Sequence, residues 1–143
     1  MSAPLLLRLP LAGAVRGYTS TRVGGGSAAP YASLNLGLNT DDDPQAVRRN
    51  REAALAAGAA PALAPVHLCQ VHGDNLREAG QADAGKGSQA WDQGLAACDA
   101  VFTRVRGLPL SIGHADCLAV LLVDVEAGLL GLAHAGWRGA LAQ

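Results

Sequence analysis

Short apolar runs divided by polar, glycine-rich stretches predict strands along much of the chain, and DDDPQAVRRNREAALAAG is the clearest helix. Residues 5–20 are apolar with polar interruptions and predict one or two strands ending in the polar YTSTR. The segment from Val23 to Gly37, VGGGSAAPYASLNLG, is rich in Gly, Ser and Asn and predicts a long loop, a common place for function in a compact domain. DDDPQAVRRNREAALAAG predicts a helix, with Asp43 as N-cap, Pro44 at the first helical position and Gly58 as the C-terminal stop. Val47, Ala54 and Leu55 form its apolar stripe, and its arginines are expected to face water. A strand is predicted from about Val66. Strict alternation there would place Val66, Leu68, Gln70 and His72 on one face and His67, Cys69 and Val71 on the other.

The polar, glycine-rich QADAGKGSQAWDQGLA predicts an exposed loop, followed by short strands in ACDAVFTRVRG and LPLSIG. LAVLLVDV is a continuous apolar run of the kind that is buried on both faces. EAG predicts a tight turn, LLGLAHA the return strand, and GWRGALAQ the first turn of a helix. A helix start at the end of the sequence, after its most apolar strands, suggests a chain cut short at its C-terminus. The expectation is therefore a single partial domain over residues 1–143.

Composition narrows the function classes. The 143 residues carry a net charge of −1, which favours neither nucleic acid nor an anionic membrane as partner. Aromatics make up 3% of the residues, too few for the stacking platforms of single-strand binders. Three cysteines, Cys69, Cys98 and Cys117, are an odd number, and no secretory leader precedes them, so the expected compartment is the cytoplasm with reduced thiols. No run approaches the ~20 apolar residues that span a bilayer.

The candidate chemistry lies at predicted strand ends. His72, Cys117 and His134 offer two imidazoles and a thiolate, a set suited to zinc. Three protein ligands leave a tetrahedral position open, as catalytic sites do, and the metal would lower the pKa of a water there. The same atoms allow a metal-free alternative. Cys117 would be a nucleophile activated by His72 or His134, with Asp116 or Asn35 orienting the base and the N–H groups of HAGWRG forming an oxyanion hole. A copper oxidase is disfavoured, because four histidines and no His-x-His pair cannot fill a multicopper centre. Arg22 precedes glycines whose N–H groups could cradle an anion, and Arg138 sits at a predicted helix start; either could hold phosphate.

Five blocks, TRVGGGSAAPYASLNLG, DDDPQAVRRNRE, CQVHGDNL, HADCLAVLLVD and AHAGWRG, together resemble the laccase-domain, YfiH-like family, whose members are also called purine nucleoside phosphorylases or polyphenol oxidases. The resemblance implies an α/β sandwich with mixed sheets, in chains that run roughly a hundred residues further. It implies zinc held by His72, Cys117 and His134, and Arg22 at the substrate or phosphate site. Asn35, in the same block as Arg22, and Arg138 complete the candidate substrate and phosphate residues. The implied reactions are phosphorolysis of adenosine, inosine and methylthioadenosine, and deamination of adenosine. Two features depart from the family pattern. His114 stands where a small residue or threonine is usual, and so becomes a candidate catalytic residue or competing ligand. Nor is there an H-x-E motif to supply the general acid/base of zinc deaminases, which leaves Asp116 as the local candidate. An inactive, truncated metal-binding remnant is the non-enzymatic alternative.

Overall fold

A computed structural model describes residues 5–11, 13–58 and 62–141. The chain divides into two compact units, Met1–Ala60 and Pro61–Gln143.

In the first unit, strands β1 (Leu6–Arg8) and β2 (Tyr18–Ser20) pair antiparallel, with Leu6 opposite Ser20. Helix α1 spans Pro44–Gly58, as its cap and proline require. The Asp43 carboxylate accepts the N–H groups of Gln45 at 2.9 Å and Ala46 at 3.2 Å, satisfying donors that a helix start leaves without partners. Val47 and Ala54 are buried as the stripe predicts. The arginines do not all face water. Arg51 donates from Nε to the Leu36 carbonyl at 2.6 Å, and burial lowers its pKa to about 10. Asn50, on the same helix, is 2% exposed and anchors the glycine loop.

That anchoring answers the expectation of an anion cradle after Arg22. The N–H groups of Gly24 and Gly25 donate to Ser33 Oγ, and that of Gly26 to Asn50 Oδ1 at 2.8 Å. These N–H groups are taken by side chains of the loop and of α1. A Cβ on Gly25 would run into the Ser33 carbonyl, so this close packing admits only glycine.

The second unit holds strands β3 (Val66–His67), β4 (Leu76–Glu78), β5 (Ala100–Thr103), β6 (Leu110–Ser111), β7 (Leu118–Asp124) and β8 (Leu129–Ala135), then helix α2 (Trp137–Leu141). The strands form a mixed sheet in the order β4-β5-β8-β7, with β4 and β5 parallel and the others antiparallel. β3 and β6 make a separate parallel pair. The mixed α/β architecture matches the fold class expected from the sequence. The core is Val66, Leu68, Ala79, Leu95, Cys98, Val101 and Leu108.

Three local expectations are corrected. The strand at Val66 pairs for two residues only, with one further bridge from Leu68 to Leu95. Leu68 and Cys69 are both buried, so the alternation stops there, and His72 takes a left-handed conformation with φ of 60°. The glycine-rich segment after Gly80 is no plain exposed loop: it folds into two short 3-10 turns, Gln81–Asp83 and Trp91–Gln93, and delivers Leu95 to the core. LAVLLVDV is not buried on both faces. β7 is an edge strand of its sheet, and Leu118 and Leu122 are 66% and 58% exposed. An edge position gives it one strand neighbour, and its apolar run records composition rather than burial among the described residues.

Candidate metal centre

The β7–β8 hairpin sets the geometry of the site. Its register pairs Leu118 with Ala135 and Ala119 with His134 around a four-residue turn closed by Gly128, whose φ of 63° suits glycine. One step beyond the last pair, Cys117 falls opposite Gly136. Cys117 and His134 thus meet at one end of two adjacent strands. His72 arrives from the segment after β3, and its ring lies edge-on to that of His134, with centroids 4.8 Å apart.

The candidate ligand atoms of His72, Cys117 and His134 all lie within 4.8 Å of one another. Among the described residues this is the one group of three or more His, Cys, Asp or Glu side chains placed to share an ion. Metal bonds of ~2.0–2.3 Å need tetrahedral donors roughly 3.3–3.8 Å apart. The His72 side chain is exposed, that of Cys117 is half-buried and that of His134 is buried. Gly136 keeps the space open: a Cβ there would lie 3.1 Å from His72 Cδ2, 3.4 Å from Cys117 Sγ and 3.5 Å from His134 Cε1. The donor set fits a metal ion in its chemistry, two imidazoles and a sulfur.

Behind these residues lies one that the sequence reading did not single out. Asp99, just before β5, is 2% exposed. Its Oδ1 accepts His134 Nδ1–H at 2.8 Å and the His72 N–H at 3.0 Å. Its Oδ2 accepts the N–H groups of Val71 at 3.0 Å and Gly73 at 2.8 Å. Burial pushes this carboxyl up, but the hydrogen bonds from His134, Gly73, Val71 and His72 outweigh it and hold the pKa below the usual range. An ionised carboxylate only accepts, so this contact favours a proton on His134 Nδ1, and in the neutral ring that leaves the Nε2 lone pair for a metal. Asp99 was invisible in the sequence because an acidic residue before a short strand carries no motif. Its position beside Cys98, in a run that enters the core, was the available signal.

The remaining candidates are placed as follows. Asp116 and His114 are exposed beside Cys117. Burial first, then the negative charge of Asp116, raises the pKa of the Cys117 thiol. Arg138 is in the first turn of α2, its guanidinium 5.3 Å from the ring centre of Trp137. Arg22 and Asn35 belong to the first unit. Arg22 is exposed, and its carbonyl accepts the N–H groups of Ser33 and Leu34. The Asn35 amide is engaged within its own loop, donating to Thr40 Oγ1 and Asp42 Oδ2 and accepting from the Gly37 N–H. A cavity of about 130 Å³ opens beside Asp99 and His134, lined also by Gly73, Asp74, Ala133 and Gly139. Small-molecule sites run to ~300 Å³ and above, so this cavity does not by itself hold a nucleoside. No helix among the described residues is long and apolar enough to cross a membrane.

Comparison with known proteins places these features in a family context. A family model described as multi-copper polyphenol oxidoreductase laccase matches residues 16–143. The purine nucleoside phosphorylase YlmD of Geobacillus stearothermophilus is 42% identical over 91% of this chain and 47% of its own length. The purine nucleoside phosphorylase YfiH of Escherichia coli is 39% identical over 97% of this chain and 53% of its own. The crystal structure of the Bacillus licheniformis hypothetical protein YfiH superposes with a TM-score of 0.91 at 33% identity, covering 96% of this chain and 51% of that one. The chain spans about half the length of the curated relatives it matches.

Proposed function

From the premise that the chain belongs to the YfiH-like laccase-domain family, we propose that it supplies the zinc site of a purine nucleoside enzyme. The observation that carries this is the His72/Cys117/His134 set, with the Nε2 of His134 freed by the Asp99 carboxylate. The reactions proposed are phosphorolysis of adenosine, inosine and methylthioadenosine, and deamination of adenosine. The names of the relatives support a nucleoside and phosphate as substrates.

His134 and His72 bind through ring nitrogens and Cys117 through its sulfur as thiolate. The metal, when bound, supplies Lewis acidity and lowers the pKa of a water. In the second unit Arg138, with the exposed Trp137 ring beside it, is the residue proposed to hold substrate or phosphate; Arg22 and Asn35 are the candidates within the first unit. Asp116 and His114 are the groups proposed to move protons. In phosphorolysis a phosphate oxygen bonds to C1′, the C1′–N9 bond breaks, and the base leaves with the electron pair and takes a proton. In deamination water adds at C6 and ammonia leaves.

The metal-free cysteine hydrolase is the second reading. Burial and the negative charge of Asp116 raise the Cys117 pKa, which works against the thiolate that such a mechanism needs to form with His72 or His134. Metal analysis of purified protein, with product analysis on adenosine with and without phosphate, separates the readings. The zinc enzyme is expected to hold one equivalent of zinc, to release adenine only with phosphate, and to lose activity in chelator. Full activity in the metal-free protein would overturn it.

A further inference from the structure

We propose that Asp99 is the positioning residue of the metal centre, its one carboxylate setting both the backbone that presents His72 and the ring tautomer that presents His134. This rests on the metal reading above for its purpose, but the placement stands on geometry alone.

Three consecutive N–H groups, those of Val71, His72 and Gly73, converge on the Asp99 carboxylate within 3.0 Å. Converging backbone N–H groups make an anion-binding concavity, and here the anion is the protein's own side chain. The conformation they require costs something. His72 sits at a φ of 60°, a conformation that disfavours a residue with a Cβ. A buried acceptor with two oxygens offsets that cost, and the strain falls at the residue whose side chain enters the site.

The grip on His134 is double. The main-chain carbonyl of Asp99 accepts the His134 N–H at 2.7 Å, and the side chain accepts Nδ1–H at 2.8 Å. The register of β5 with β8, Ala100 opposite Ala133, continues one residue into this contact. Backbone position and ring orientation of His134 are therefore set by the same residue. Each oxygen of Asp99 takes two donors, so an amide at this position must turn its NH2 either toward the N–H groups of Val71 and Gly73 or toward the His72 N–H and the His134 ring nitrogen.

The test uses the full chain and the isosteric variant Asp99→Asn. Zinc affinity, measured by competition with a chelator of known affinity, is expected to fall about 10–100-fold. In the metal-free wild-type protein, nitrogen-detected spectra of the histidine rings should show His134 as the Nδ1–H tautomer, and the N–H groups of residues 71–73 should be protected from exchange. In Asp99→Asn the fixed tautomer and that protection should be lost. An Nε2–H tautomer for His134 in the wild type overturns the proposal. So does a variant with lowered melting temperature but unchanged zinc affinity and tautomer, the mark of a merely structural role. If Asp99→Asn does not fold, the wild-type tautomer and exchange data decide. If the wild type binds no zinc, the metal reading falls, while those two measurements still decide the hold of Asp99 on both histidines.

Discussion

Two buried polar side chains, one in each unit, organise a loop by four hydrogen bonds, and they differ in charge. Asn50 in the first unit donates to Ser27 Oγ, the Ser33 carbonyl and the Asn35 carbonyl, and accepts from the Gly26 N–H. Asp99 in the second unit only accepts, from three N–H groups and an imidazole. Each is 2% exposed. The glycine loop offers mostly oxygen acceptors and needs a side chain that donates, which an amide does without carrying charge. The segment around His72 offers only donors and takes a carboxylate. The buried charge has a cost that an amide avoids, and its return is a histidine held in one tautomer. The neutral side chain builds a loop; the charged one builds a loop and holds an imidazole.

The sharpest way to break this comparison is to remove each residue. Asp99→Ala leaves the three N–H groups and the His134 ring without partners, and should cost about 3–5 kcal/mol in urea unfolding at neutral pH. Asn50→Ala should cost about 2–3 kcal/mol by the same measurement. Equal losses would mean that the charge adds nothing.

Changing the charge at the first position is the next test. Asn50→Asp sets a carboxylate against the Ser33 and Asn35 carbonyls, which cannot donate to it. Such a group is raised in pKa on folding, so its penalty should be small near pH 4 and grow as pH rises to 7. A flat stability difference across that range would show that the loop rearranges to donate to the new charge.

Gly136→Ala addresses the site without touching either polar residue. Its Cβ would press on His72, Cys117 and His134 at 3.1–3.5 Å. Zinc affinity should drop about tenfold, with little change in unfolding. The smallest effect belongs to a carboxylate near the surface. Asp83 accepts from Lys86 at 2.7 Å and from the Gly80 N–H, and these hold its pKa below the usual range. Its folded pKa is depressed, so its contribution is present above about pH 4 and is lost as pH falls through the folded value. Lys86→Ala should flatten that part of the stability profile slightly, because the pair is partly solvated.

Much of the local structure was legible before any coordinates. α1 begins where Asp43 and Pro44 demand, since capping is a contact between neighbours. The β7–β8 hairpin follows from two apolar runs around a glycine turn, and it brings Cys117 and His134 to one end. The five motif blocks brought in His72 and the family. The errors have a common physical source: they depend on what lies next to a segment in space. Arg51 belongs by sequence to a solvated helix face, but the Leu36 carbonyl comes to meet it. LAVLLVDV has the composition of a central strand and, among the described residues, the place of an edge.

By itself, then, the sequence determined the elements whose causes are local: caps, turns, the hairpin, and the identity of the three residues that the structure brings within 4.8 Å of one another. Tertiary structure alone decided that His72 leaves its strand for a left-handed conformation, that the glycine loop spends its own N–H groups, and that Asp99 serves both histidines. Those outcomes join residues far apart in the chain, and hydrogen-bond donors find their acceptors only once the backbone has brought them together.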